Sequence, residues 1–114
     1  MAYLNGMRVY PSIEAAEYQD FEWMLGAYFH QDFDIFGSTL KEILAVYRRD
    51  TTEKERLQTA ADVERFLAKY GQTDERLAEG MERVFKPGVI IENWEGMTTR
   101  QWLEEVVRLL RVQE

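Results

Sequence analysis

The chain has one histidine, His30, and it stands beside Gln31, Asp32 and Asp34. A His and an Asp four positions apart share a helical face, so His30 and Asp34 have the spacing of two ligands to one metal ion. Two ligands are too few for a dedicated zinc site, and the sequence has no second His and no Cys to complete it. His30 and Asp32 also combine the residue types of an oriented general base, yet no nucleophile sits in a recognisable strand-to-helix elbow. Carboxylates are so numerous that finding a pair for acid and base work would carry no information. Gly37, Gly71, Gly80, Gly88 and Gly96 are isolated from one another, which leaves no phosphate-cradling loop. The cations form no stripe either, since Arg48 and Arg49 are followed at once by Asp50. These residues point away from an enzyme, from a cofactor or resident metal, and from nucleic acid as a partner.

The polar run from His30 to Asp34 still needs a reason, because it sits between Tyr28, Phe29 and Phe33, Ile35, Phe36. At a helix C-terminus a carboxylate is disfavoured by about 0.3 to 1 kcal/mol, while a histidine is favoured. Asp32 and Asp34 are better placed if they cap the next helix, satisfy backbone groups or face a basic partner.

Hydrophobic period places the elements around this run. Asp20 has the position of an N-cap for a first helix, with Phe21, Met24, Leu25 and Tyr28 on one face and an end near Phe33. Thr39 and Glu42 are spaced as a reciprocal capping box, and Leu40, Ile43, Leu44 and Tyr47 give the second helix its stripe. Thr52 and Glu55 repeat the box. A third stripe then runs through Leu57, Ala60, Ala61, Glu64, Leu67 and Ala68, widened by Phe66, to Tyr70 and a left-handed stop at Gly71. Asp74 is placed to cap a fourth helix with Leu77, Met81, Val84 and Phe85 inward, where Gly80 costs about 1 kcal/mol relative to Ala. Lys86, Pro87 and Gly88 end it, and Val89, Ile90 and Ile91 read as a short extended or buried linker. Thr98 and Gln101 open the last helix, with Trp102, Leu103, Val106, Leu109 and Leu110 inside. Arg100, Glu104, Glu105, Arg108 and Arg111 face outward, Glu104 and Arg108 being spaced for an ion pair of about 0.3 kcal/mol. The expectation is an all-α fold, a compact bundle of about five helices in a single domain over 1–114, with residues 1–16 as an irregular lead-in.

Composition agrees with one such core. The 114 residues are 46% hydrophobic and include Trp23, Trp94 and Trp102, enough for a core without staples. No run approaches the roughly 18 apolar residues of a membrane span, and Met1 to Glu14 has no leader pattern, so no membrane and a cytoplasmic location are expected. Acids outnumber basic residues 21 to 14, for a net charge of -7, which repels phosphate backbones and anionic lipid and favours a basic macromolecule. The apolar faces permit a homodimer without demanding one, so monomer and dimer both stay open.

The segment Gly26-Ala27-Tyr28-Phe29-His30-Gln31-Asp32-Phe33-Asp34 resembles the signature of a family of small helical immunity proteins from bacterial contact-dependent growth inhibition systems. The polar turn Gly37-Ser38-Thr39, the helix from Lys41 to Arg49, and Thr98 four residues before Trp102-Leu103 also match that pattern. The resemblance runs from about Phe21 to Leu110, with Phe33 standing where the family carries Trp. It implies a protein that binds the C-terminal toxin domain of an incoming inhibition effector and blocks it, with no chemistry of its own. Tyr28, Phe29, Phe33, Thr98, Trp102 and Leu103 are its structural motif. If the cognate toxin domain is a nuclease with a basic substrate surface, an acidic plug suits it, with His30, Asp32, Asp34 and the Glu75, Glu79, Glu82 face as partner-binding candidates. The competing reading is a structural or adaptor module of the same fold with a non-toxin partner.

Overall fold

The computed structural model describes residues 2–4, 7–29, 35–87, 91 and 94–112. Threonines start four of its five α-helices. At Thr39, Thr52 and Thr98 the hydroxyl accepts the amide three residues on, and the Glu or Gln at that position bonds back to the threonine amide. These boxes open α2 (Leu40–Asp50), α3 (Glu53–Tyr70) and α5 (Thr99–Arg111). The fourth helix, α4 (Asp74–Phe85), is capped by Thr73, whose hydroxyl accepts the Arg76 amide at 3.1 Å. Asp74, expected as the cap, is already inside the first turn, where its charge favours the positive end of the helix.

The first helix, α1 (Gln19–Tyr28), begins differently. It follows directly on a 3-10 turn, Glu14–Tyr18, and Tyr18 offers no side-chain cap. Asp20 is therefore not the N-cap the sequence promised. The amides of Asp20 and Phe21 instead donate to Asp62 of α3, at 3.0 and 3.1 Å. The cap comes from the neighbouring helix because the chain enters α1 already turning, with no extended residue to fold a side chain back.

The lead-in is more ordered than its sequence period implied. A two-stranded antiparallel hairpin joins β1 (Ala2–Leu4) to β2 (Met7–Val9), with Leu4 opposite Met7. The residues between are Asn5-Gly6, a pair that sequence rules associate with two-residue hairpin loops.

α3 packs mainly against α5 and α1. Its buried face is Thr59, Ala60, Asp62, Val63, Phe66 and Tyr70, while Leu57, Glu64 and Ala68 are exposed. The helix is thus rotated from the expected stripe. Val63 and Phe66 bring larger apolar surface inward than the alanines do, Asp62 is drawn in by the amides of α1, and Glu64 faces out to Arg111 at 2.6 Å. Phe66 lies at the centre of an aromatic cluster, its ring 5.5 Å from Tyr18, 5.2 Å from Phe85 and 4.7 Å from Tyr70. Gly80 lets α4 approach that cluster, since a Cβ there would fall 3.1 Å from the Tyr70 ring. Gly71 is not left-handed, with φ -83°. It serves close approach, because an added Cβ would collide with the Leu67 carbonyl oxygen.

α5 closes the core with Trp102, Leu103, Val106 and Leu110. Its outer ion pair joins Glu105, not Glu104, to Arg108, which donates to both carboxylate oxygens at 2.7 and 2.5 Å. Arg100 is drawn off the outer face, donating to the Gly71 carbonyl at 2.5 Å and to Asp74 at 2.9 Å. Of the expected linker, Val89 and Ile90 lie outside the described residues, and Ile91 is buried.

Candidate functional site

His30, Asp32, Phe33 and Asp34 lie outside the described residues, so the expected run is seen only through the residues on either side of it. On the near side, Tyr28 and Phe29 are buried. Phe29 meets the rings of Trp94 and Trp102 edge-on at 5.8 and 5.3 Å, and Trp102 is fully buried beside Leu103. The Tyr28 hydroxyl donates to Asp50 at 3.0 Å, and burial together with that carboxylate pushes the phenol up to about 12. On the far side, Phe36 packs on Tyr28 at 5.0 Å while Ile35 is 72% exposed. Thr98 caps α5 on the surface. The residues flanking the run are thus tied to the core on both sides, with one large apolar side chain left in solvent.

Glu75, Glu79 and Glu82 are all exposed on α4. Their spacing of four and three residues sets them along one face of the helix. Two arginines flank this face and behave differently. Arg76 is exposed, whereas Arg83 turns onto Tyr70, donating to its hydroxyl at 3.0 Å and lying 3.7 Å from Glu14. Glu14 also accepts from Lys69 at 2.7 Å and from Tyr70 at 2.5 Å. The Lys69 hydrogen bond, reinforced by that of Tyr70, holds the Glu14 carboxyl below its usual range. One basic flank of the acidic face is therefore engaged internally, and its glutamates remain open to a partner.

Folding also gathers a set of cations that sequence order keeps apart. Lys41, Arg48 and Arg49 of α2 and Arg56 of α3 line one open groove of about 300 Å³, closed on its third side by Leu109 and Val112. The expectation that the basic residues form no stripe does not foresee this local grouping of four. The link between α2 and α3 is only Thr51 and Thr52, so the end of one helix and the start of the next share a surface. No acidic residue lines the groove. Arg48 donates one nitrogen to the Leu109 carbonyl at 2.5 Å, which pins α2 to α5. Arg49 has a weak contact to Asp50 at 3.3 Å. The Arg56 Nε is buried without a hydrogen-bond partner among the described residues. A lone reading of Arg48-Arg49-Asp50 could not reveal this, and the only available signal was the helical spacing of Lys41, Leu44, Ala45 and Arg48.

Among the described residues, no group of three or more His, Asp or Glu side chains is placed to hold a metal ion, and no helix is long and apolar enough to cross a membrane. The surface thus offers two charged features of opposite sign, a glutamate face and a cationic groove. No curated protein and no solved structure matches the chain. One protein family does, described as CdiI immunity protein, over residues 17–110. That span takes in α1 to α4 and all of α5 except Arg111, and leaves out residues 1–16 and 111–114. The chain belongs to the CdiI immunity protein family.

Proposed function

We propose that this protein binds the C-terminal toxin domain of a contact-dependent growth inhibition effector in the cytoplasm of the producing cell and blocks it by occlusion. Membership of the family over residues 17–110 is the observation that carries the reading. The exposed Glu75, Glu79, Glu82 face and the net charge of -7 support a basic surface on the partner, as the substrate side of a nuclease would provide. The protein acts as a binder, without catalysis. Exposed Ile35 offers an apolar contact beside the His30, Asp32, Asp34 run, and a tight complex needs a desolvated centre of that kind within roughly 1,200 to 2,000 Å² of interface.

Co-expression tests the reading directly. The C-terminal tail of a large secreted protein encoded beside this chain is produced with and without it, and growth and complex formation are measured. Survival restored with a co-purifying complex is the expected result. Growth arrest that this chain does not relieve, with no complex, would sink the reading for that pair. The triple variant E75K/E79K/E82K then places the acidic face, with weaker protection expected at unchanged melting temperature.

A further inference from the structure

We propose that the groove between α2, the first turn of α3 and the last turn of α5 receives an acidic segment of the protein partner, a carboxylate among its cations and an adjoining apolar side chain on Ala45 and Leu109. The inference rests on the toxin-binding reading and adds to it a contact of opposite sign to the glutamate face.

Four cations and no acid line this groove in a chain where acids outnumber basic residues 21 to 14. Lys41, Arg48 and Arg56 reach no carboxylate of the described residues within 4.0 Å, although most other arginines do. Local helix electrostatics does not explain Lys41 or Arg56. Each stands in the first turn of its helix, the end that disfavours a cation. The donors are also in surplus. A guanidinium has five N–H groups; Arg48 spends one nitrogen on Leu109, and the buried Arg56 Nε has no partner among the described residues.

The same features choose between kinds of anion. Half of the lining is apolar, with exposed Ala45 and half-buried Leu109 and Val112 beside the cations, which suits a side chain next to a carboxylate better than bare phosphate. A nucleic acid would bring many phosphates toward a molecule of net charge -7, whereas a peptide segment brings one or two charges. These cations also supply discrimination, because a partner lacking the acid leaves Lys41, Arg48 and Arg56 desolvated and unmatched.

The test uses the full chain and two readouts. In the first, amide resonances are followed during titration with acetyl-Leu-Glu-amide, with acetyl-Leu-Gln-amide, with inorganic phosphate and with a single-stranded DNA oligomer. Shifts confined to Lys41, Ala45, Arg56 and Leu109 with the Glu peptide, absent with the Gln peptide and lost in K41E/R49E, support the proposal. Equal shifts with the Gln peptide, or the same shifts at lower concentration with phosphate or the oligomer, overturn it. In the second, the affinity of the adjacent toxin domain is measured for K41E/R49E and for the charge-keeping K41R/R49K. A loss of roughly tenfold or more in the first and none in the second is expected, since both positions are exposed and unfolding is checked by melting. Unchanged affinity in K41E/R49E overturns the groove while leaving the toxin reading intact. If the unaltered chain does not bind the toxin domain, that reading fails, and the peptide titration alone decides the groove.

Discussion

Asp62 shows how one carboxylate can hold two helices. It is buried, accepts two amides at the start of α1 and pairs with Arg65, so its charge is matched on both sides. Removing it leaves buried donors without an acceptor, a loss larger than an ordinary exposed cap. Asp62→Ala is expected to cost about 2 to 3 kcal/mol in chemical denaturation, and Asp62→Asn about half of that, because the amide oxygen still accepts. Equal stability of Asp62→Ala and the parent would show that water satisfies the start of α1 as well as Asp62 does. Glu14 carries a share of the pH dependence, as do Glu42, Glu55 and Glu105, whose carboxyls are also lowered by their hydrogen bonds. The Glu14 carboxyl is held below the usual 4.5, first by Lys69 and then by Tyr70, so its share of stability is whole above that value and is lost as pH falls through the lowered one. Glu14→Gln lacks this share. Its melting temperature should lie below the parent's near neutrality, and the two curves should converge on acidification; curves that stay parallel from neutral pH down through the carboxylate range would remove Glu14 from the acid response.

At the scale of elements, Gly80 sets two effects against each other. Alanine in a helix interior gains about 1 kcal/mol over glycine, but here its Cβ would press on the Tyr70 ring at 3.1 Å. That ring cannot easily yield, since its hydroxyl is bonded to Glu14 and Arg83 and its face lies on Phe66. Gly80→Ala is therefore expected to destabilise by about 1 kcal/mol net, measured by urea unfolding, and a gain in stability would show that the Tyr70 anchor is soft. The position illustrates what sequence alone could and could not convey. The boxes at Thr39, Thr52 and Thr98 were legible because both partners lie within one turn, and so were the core faces of α2, α4 and α5, whose apolar residues keep period without competition. The rotation of α3 was not, because Asp62 is buried for a bond to a residue more than 40 positions away. The use of Gly80 depends likewise on a ring from another helix. For the candidate site, the exposed glutamates of α4 follow from period, whereas the groove exists only once Arg56 is folded back beside Arg48 and Arg49.

Taken as a whole, the molecule presents a net negative field on which a local positive feature is superimposed, and the two should act on different steps of association. The field of a -7 chain extends about a Debye length, roughly 10 Å at 0.1 M salt, so it governs the approach of a basic partner. The groove is short-ranged and acts once surfaces meet. Stopped-flow mixing with the toxin domain should therefore show an association rate that falls by about tenfold or more as salt rises from low to high ionic strength, with dissociation little changed. E75K/E79K/E82K removes most of the negative charge and should slow association. K41E/R49E makes the chain more acidic, so it should associate at least as fast as the parent and dissociate faster, its lost affinity lying wholly in the second rate. Opposite effects of the two variants on the encounter follow from physics alone if the toxin is basic. Should both slow association equally, or should the rate ignore salt, the charge of this chain does not guide the encounter, and affinity must rest on its desolvated contacts.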